Sequence, residues 1–176
     1  MQPTEGPTFL EVTVMNWAHI HLLLNHIPVI GMLFAVLLLF VAMVKKSDAL
    51  KVLSLQFFVL LTLLTIPTYL TGDPAAHDVR SLPGVTKEII ERHDDAATIA
   101  LIGMIILGVL ALTGLIINYR TKSLPAWVVT LALVLSLVEA GWLAWTANLG
   151  GQIRHTEIRA GFQAGATSSN SGNNHL

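Results

Sequence analysis

The stretch Met15-Asn-Trp-Ala-His-Ile-His-Leu-Leu-Leu-Asn-His-Ile-Pro28 leads into an apolar run that continues to Val44. From Trp17 to Val44 the chain contains three histidines but no Asp, Glu, Lys or Arg. About 20 apolar residues suffice to cross the hydrocarbon core of a bilayer. The stretch therefore predicts a membrane-spanning helix that begins at the interface, where Trp17 is a typical anchor.

The composition extends this interpretation to most of the chain. Of its 176 residues, 53% are hydrophobic and 12% are charged, whereas a soluble domain has about 25% charged residues. Apolar runs predict four spans, at about 17–44, 50–70, 95–118 and 126–148. We expect an all-α integral membrane protein, a four-helix up-down bundle over residues 1–160 followed by a polar tail over 161–176.

Prolines and glycines predict where these helices are irregular. Pro28 lacks a backbone donor, so the carbonyl of Leu24 loses its helical partner and a kink is expected beside His26. Gly150-Gly151 predicts the end of the fourth helix.

The basic residues predict the orientation. No basic residue precedes the first span. Two short turns hold five basic residues: Lys45, Lys46, Lys51, Arg120 and Lys122. By the positive-inside rule these turns are cytoplasmic, which places both termini and the acidic connection over 71–95 in the periplasm of a bacterial inner membrane. All seven histidines then lie on the outer side or in the outer half of the bilayer: His19, His21, His26, His77, His93, His155 and His175.

His93 is the expected partner of the histidines in the first helix. If the third helix begins early, near Lys87, His93 shares one face with Ala96, Ala97 and Ala100. Small side chains there leave space beside an imidazole, as a flat cofactor requires, or let two helices pack closely. The two interpretations have equal weight.

Glu139 is the one acid well inside a span, which marks a candidate functional site. It is expected at the depth of His26 and could pair with it, carry protons or support a ligand; the alternative is a protonated carboxyl bound to a backbone carbonyl.

Beyond the double glycine, the chain could fold back and bring Arg154 and His155 toward His19. His77 is expected at the surface, and His175 in the tail is discounted.

Several functions are excluded by what the sequence lacks. Without cysteine there can be no disulfide, iron–sulfur cluster or covalently attached c-type haem. A net charge of −1 without a basic patch argues against nucleic acid as a partner. No catalytic constellation indicates an enzyme acting alone, although a subunit of an oxidoreductase complex stays open.

Short motifs resemble a set of uncharacterised bacterial four-helix membrane proteins grouped as a domain of unknown function. They are His26-Ile-Pro28, a loop with Gly72-Asp-Pro and Leu82-Pro-Gly that ends in His93-Asp-Asp-Ala-Ala, and Gly150-Gly with Arg154-His155. The resemblance implies a membrane protein associated with redox chemistry. The long acidic loop departs from the shorter relatives.

Three functional hypotheses follow. The first is a b-type haem protein, with one or two haems, that passes electrons between a quinol pool and a periplasmic carrier or partner subunit. One axial ligand would be His26 or His19 and the other His93, and His155 is an alternative ligand. Arg154 would bind a haem propionate. The second is a copper or zinc site drawn from five candidate ligands: His19, His21, His26, His93 and His155. The third is a structural or assembly subunit of a larger membrane complex.

Overall fold

The computed structural model describes residues 16–155, 158 and 159, so residues 1–15, 156 and 157, and the polar tail from residue 160 onward with His175, lie outside the described residues. Within that part the chain forms five helices and no strand. The helices are α1 (Trp17–Val44), α2 (Asp48–Leu70), α3 (Gly72–Val79), α4 (Lys87–Thr121) and α5 (Ala126–Arg154). Four segments are long and apolar enough to cross a membrane, with α2 and α3 counted together. The prediction of an all-α, multi-pass membrane protein is confirmed to that extent.

The four long helices form a bundle with the cyclic order α1, α2, α4, α5, in which each helix packs against its two neighbours. α1 is therefore diagonally opposite α4. The short helix α3 lies mainly against α1. We call the end formed by Trp17, Leu70, Lys87 and Arg154 the histidine end. The opposite end, with the turns at 45–47 and 122–125, is the lysine end.

The core runs along the bundle axis and is apolar. Its largest fully buried side chains include Met32, Leu39, Leu55, Phe58, Met104 and Leu107. The outward faces are also apolar, with large side chains such as Leu23, Leu63, Ile102 and Val138 exposed. A helix that is hydrophobic on all sides belongs in a membrane, so lipid is the expected surroundings of this bundle.

Glycines allow the helices to approach closely. A Cβ at Gly108 on α4 would lie 2.5 Å from the Oγ1 of Thr62. That hydroxyl shares its hydrogen between the carbonyls of Met104 on α4 and Phe58 in its own helix, each at 2.9 Å. A Cβ at Gly114 would lie 2.6 Å from Val128 on α5. Gly108 and Gly114 thus let α4 pack closely against α2 and α5.

Two helix ends differ in how well the sequence predicted them. α4 begins at Lys87, the early start on which the placement of His93 depends, and the side chain of Thr86 caps it. α5 does not end at Gly150-Gly151, as predicted, but continues to Arg154. The helix keeps a glycine at position 150 because Gly150 packs against the ring of His93, where a side chain would be too large.

Pro28 lies inside α1 without ending it. The carbonyl of Leu24, which Pro28 deprives of its helical donor, lies 3.4 Å from the Oγ1 of Thr68 on α2. That hydroxyl has one hydrogen and donates mainly to the carbonyl of Leu64 in its own helix, at 2.9 Å. The neighbouring helix therefore replaces the lost helical hydrogen bond only in part.

Candidate functional site

Two histidines meet on the bundle axis at the histidine end. The ring centroids of His21 and His93 are 6.3 Å apart, and the ring planes are at 83° to each other. His21 belongs to α1 and His93 to α4, the two diagonally opposite helices. The pair therefore spans the centre of the bundle. His93 does meet the first helix, as expected, but through His21 and not through His19 or His26.

Backbone carbonyls hold both rings by the same nitrogen. The Nδ1 of His21 lies 3.1 Å from the carbonyl oxygen of Thr68 and 3.0 Å from the Oγ1 of Thr71. The Nδ1 of His93 lies 3.1 Å from the carbonyl oxygen of Thr146. A carbonyl can only accept, so Nδ1 carries the hydrogen in both neutral rings and Nε2 keeps its lone pair. Metal-binding histidines usually have this arrangement.

The local sequence explains why these anchors exist. Thr68 lies in the last turn of α2, where carbonyl groups lack helical donors and can accept from side chains. The Oγ1 of Thr71 donates to the same carbonyl at 2.7 Å. For His93 the decisive residue is Gly150, since a Cβ there would lie 3.0 Å from the Cε1 of the ring. Sequence reasoning missed Gly150 because it treated the double glycine only as a helix terminator.

A cavity of about 70 Å³ lies beside the pair. All four long helices line it, and its walls include Asn25, Val29, Thr65, Tyr69, Ala97, Ala100, Leu143, Thr146 and Ala147. Ala97 and Ala100 leave space beside His93, which is one of the two interpretations of their spacing. The volume suits an ion or a few water molecules and is below the roughly 300–1,000 Å³ of sites for larger organic ligands.

The other histidines of α1 face away from this cavity. His19 and His26 are exposed; the Nδ1 of His19 lies 2.7 Å from the Oδ1 of Asn16, and the Nδ1 of His26 donates to the carbonyl of Leu22 at 2.5 Å. Residues seven apart share a helix face, while residues two apart point about 200° apart. With His21 facing inward, His19 and His26 must therefore face outward. The structure pairs neither His19 nor His26 with His93.

Arg154 and His155 are exposed at the end of α5, which does not fold back over the histidine end at the double glycine. His77 is exposed on α3, as expected.

A residue that sequence reasoning missed is Arg159. Its guanidinium donates to the carbonyls of Gln152 at 2.8 Å, Ile153 at 3.2 Å and Gly84 at 2.7 Å. Arg159 thus ties the segment after α5 to the loop before α4.

Glu139 is buried on α5, with 6% of its surface exposed. Its carboxyl lies against Gly103 of α4, and its Oε1 has no hydrogen-bond partner within residues 16–155, 158 and 159. The expected pairing with His26 does not form, because His26 is on the outward face of α1. For the alternative of a protonated carboxyl bound to a backbone carbonyl, Oε1 makes no such bond within the same residues.

Among the residues that the structure describes, no three His, Asp or Glu side chains come close enough to hold a metal ion together. A site of three or more of the five candidate histidines is therefore not formed there, and the candidate site brings two of them together, His21 and His93. Comparisons with protein-family models, curated proteins and solved structures find no match, so membership of the four-helix family stays a prediction.

Proposed function

We propose that this protein binds one b-type haem at its histidine end, with His21 and His93 as axial ligands. It would pass electrons between a quinol pool and a periplasmic carrier or partner subunit. The observation that supports this is the pair of imidazoles that approach from diagonally opposite helices, each fixed at Nδ1 by a carbonyl. Axial ligands must come from opposite sides of the ring, which two residues of one helix cannot do.

The spacing of the pair agrees with two ligands on opposite sides of one metal ion. With metal–nitrogen bonds of about 2.0 Å, two opposed imidazoles would have ring centroids roughly 6 Å apart, and a tetrahedral pair roughly 5 Å apart. The observed 6.3 Å favours the opposed arrangement. Two neutral imidazoles at this spacing are a donor set that haem iron accepts.

When bound, haem supplies one-electron transfer. The residues of the chain set the conditions for it. The carbonyls of Thr68 and Thr146 hold each Nδ1 hydrogen and so keep each Nε2 available. The apolar walls at Val29, Ala100 and Leu143 lower the local dielectric constant, which strengthens electrostatic interactions at the site.

The cavity volume favours a second candidate, a single copper ion between the same two histidines. About 70 Å³ is room for an ion, whereas a porphyrin needs more space than the cavity has in this conformation. Imidazole is a good ligand for copper. The third hypothesis, a structural or assembly subunit, predicts that neither haem nor copper is bound.

The proposed orientation places the histidine end in the periplasm of a bacterial inner membrane. It is supported by the lysines and arginine of the two turns at the lysine end, which the positive-inside rule assigns to the cytoplasm. Both termini would then be periplasmic. Electron exchange with a periplasmic carrier would occur at the end of the bundle where the histidine pair lies.

The test is a reduced-minus-oxidised visible spectrum with a pyridine haemochrome assay, on protein produced with haem available. We expect a b-type signal that is lost in His21→Ala and in His93→Ala. His26→Ala is the matched control, since His26 is a histidine of the same helix that faces outward, and it should keep the signal. Copper without haem in a metal analysis would support the second candidate, and a flat spectrum without copper would refute both.

A further inference from the structure

Glu139 is the one acidic side chain buried in the bundle core among the residues that the structure describes. It faces inward from α5, and its Oε1 lacks a hydrogen-bond partner in the same part of the chain. An ionised carboxylate without a partner is costly to bury, and in membrane proteins such residues mark ion or proton pathways. The position therefore needs something that neutralises the carboxyl.

The bundle makes room for this carboxyl. A Cβ at Gly103 on α4 would overlap the Oε2 of Glu139 and would lie 2.9 Å from its Cδ. The carboxyl is thus seated against the backbone of α4 and is not directed toward lipid. Gly103 is the residue that allows this.

No other charge at this depth could serve as a partner. The chain has no further titratable side chain in residues 27–44 of α1, 52–68 of α2, 96–118 of α4 or the rest of 126–153 in α5. A metal cation such as Na⁺ or Ca²⁺ would need several more oxygen ligands than one carboxyl offers. The ligand that a lone buried carboxylate can accept is a proton.

The cavity at the histidine end reaches almost to this carboxyl. Its deepest lining residues are Ala100 and Leu143, three residues before Gly103 and four residues after Glu139. Four residues of helix correspond to about 6 Å, a single turn. The polar side chains of Asn25, Thr65 and Thr146 on the cavity wall can hold water. A proton from the histidine end would therefore come within one turn of Glu139.

We propose that Glu139 binds a proton that enters through this cavity when the centre between His21 and His93 is reduced. This coupling rests on the proposed function. If that centre were reduced by one electron from a quinol or a chemical reductant, the Glu139 carboxylate would take up one proton from the aqueous phase at the histidine end. The net charge of the bundle stays constant.

Electrostatics sets the size of the coupling. Glu139 lies seven residues, roughly 10 Å along the axis, from Thr146, whose carbonyl holds His93. At that separation one unit of charge changes the affinity for a proton by about tenfold in a protein environment. Proton uptake should therefore follow reduction within a measurable range of pH.

The test uses the full-length holoprotein in lipid nanodiscs. Reduced-minus-oxidised infrared spectra should show the carbonyl band of a neutral carboxylic acid appearing on reduction. The midpoint potential should fall with rising pH, with a slope of up to about 59 mV per unit for one proton per electron. Glu139→Gln should lose both effects, and the exposed Glu88→Gln control should keep them. A wild-type potential that does not vary with pH, or a slope that persists in Glu139→Gln, overturns the proposal.

A second measurement separates this proposal from the proposed function. In protein without cofactor, the carboxylic band should be present, should shift in D₂O and should be absent from Glu139→Gln. Its absence from the wild type would overturn the proton site even in a haem-loaded protein. A band that exchanges in D₂O supports the proton site, whereas the lack of any redox centre overturns the coupling together with the proposed function. Glu139→Leu, of similar volume, replaces the glutamine variant if that variant does not fold.

Discussion

Replacing Gly103 by alanine should destabilise the bundle through its contact with Glu139. The added Cβ would lie 2.9 Å from the Cδ of Glu139 and would overlap its Oε2, whereas carbon atoms in contact prefer about 3.5–4.0 Å. Overpacking of this kind costs about 1–3 kcal/mol. Alanine itself favours a helix over glycine by about 1 kcal/mol. The expected net loss is about 0–2 kcal/mol of the free energy of unfolding.

Gly141→Ala is the matched control, because a Cβ at Gly141 has nothing within 4 Å and gives only the gain in helix propensity. The two variants should therefore differ by about 1–3 kcal/mol in unfolding followed by circular dichroism in mixed micelles. In a Glu139→Ala background, the difference should fall to about 0.5 kcal/mol or less, since the contact is gone. Equal stability of the two glycine variants, or a difference that persists without Glu139, would refute the placement of the carboxyl.

Two further variants test other contacts. Gly150→Ala should weaken the proposed binding of haem by about 10–100-fold in a titration of apoprotein, because the added Cβ displaces the ring of His93 from the Thr146 carbonyl. The control, Gly141→Ala, should bind haem as tightly as the wild type does. Unchanged affinity would remove Gly150 from the site. Thr62→Val should lower the free energy of unfolding by about 0.6 kcal/mol, because it removes the hydrogen bond between α2 and α4. Thr113→Val, whose hydroxyl bonds only to its own helix, should change the stability less than Thr62→Val does.

The membrane-spanning helices could be predicted because a long apolar run without charges is stable in lipid and poorly suited to water. α1 begins and ends where its apolar run does, at Trp17 and Val44. α4 begins at Lys87 and not near 95, because hydropathy shows only the part of a helix that crosses lipid. The first two turns of α4 carry exposed charges such as Glu88 and Glu91, which a hydropathy pattern assigns to a loop.

The site was harder to predict because α1 is apolar on all sides, so its sequence does not show which face turns inward. His19 and His26 share a face, which made them the obvious pair, but that face is exposed. The inward face was nevertheless marked. His21, Pro28, Ala35 and Ala42 follow one another at intervals of seven, and the last three are buried. Small residues in phase with a histidine indicate the packed side of such a helix.

The hydrogen bond from Thr68 to the carbonyl of Leu24 has a consequence for biogenesis. A lone α1 in lipid would lack even this partial donor for the carbonyl, because Pro28 cannot donate and the bilayer core contains no water. The first two helices should therefore enter the membrane together as a hairpin, in which α2 stabilises α1 during insertion. A chain truncated after Val44 should consequently integrate poorly, and one that ends after Leu70 should integrate well.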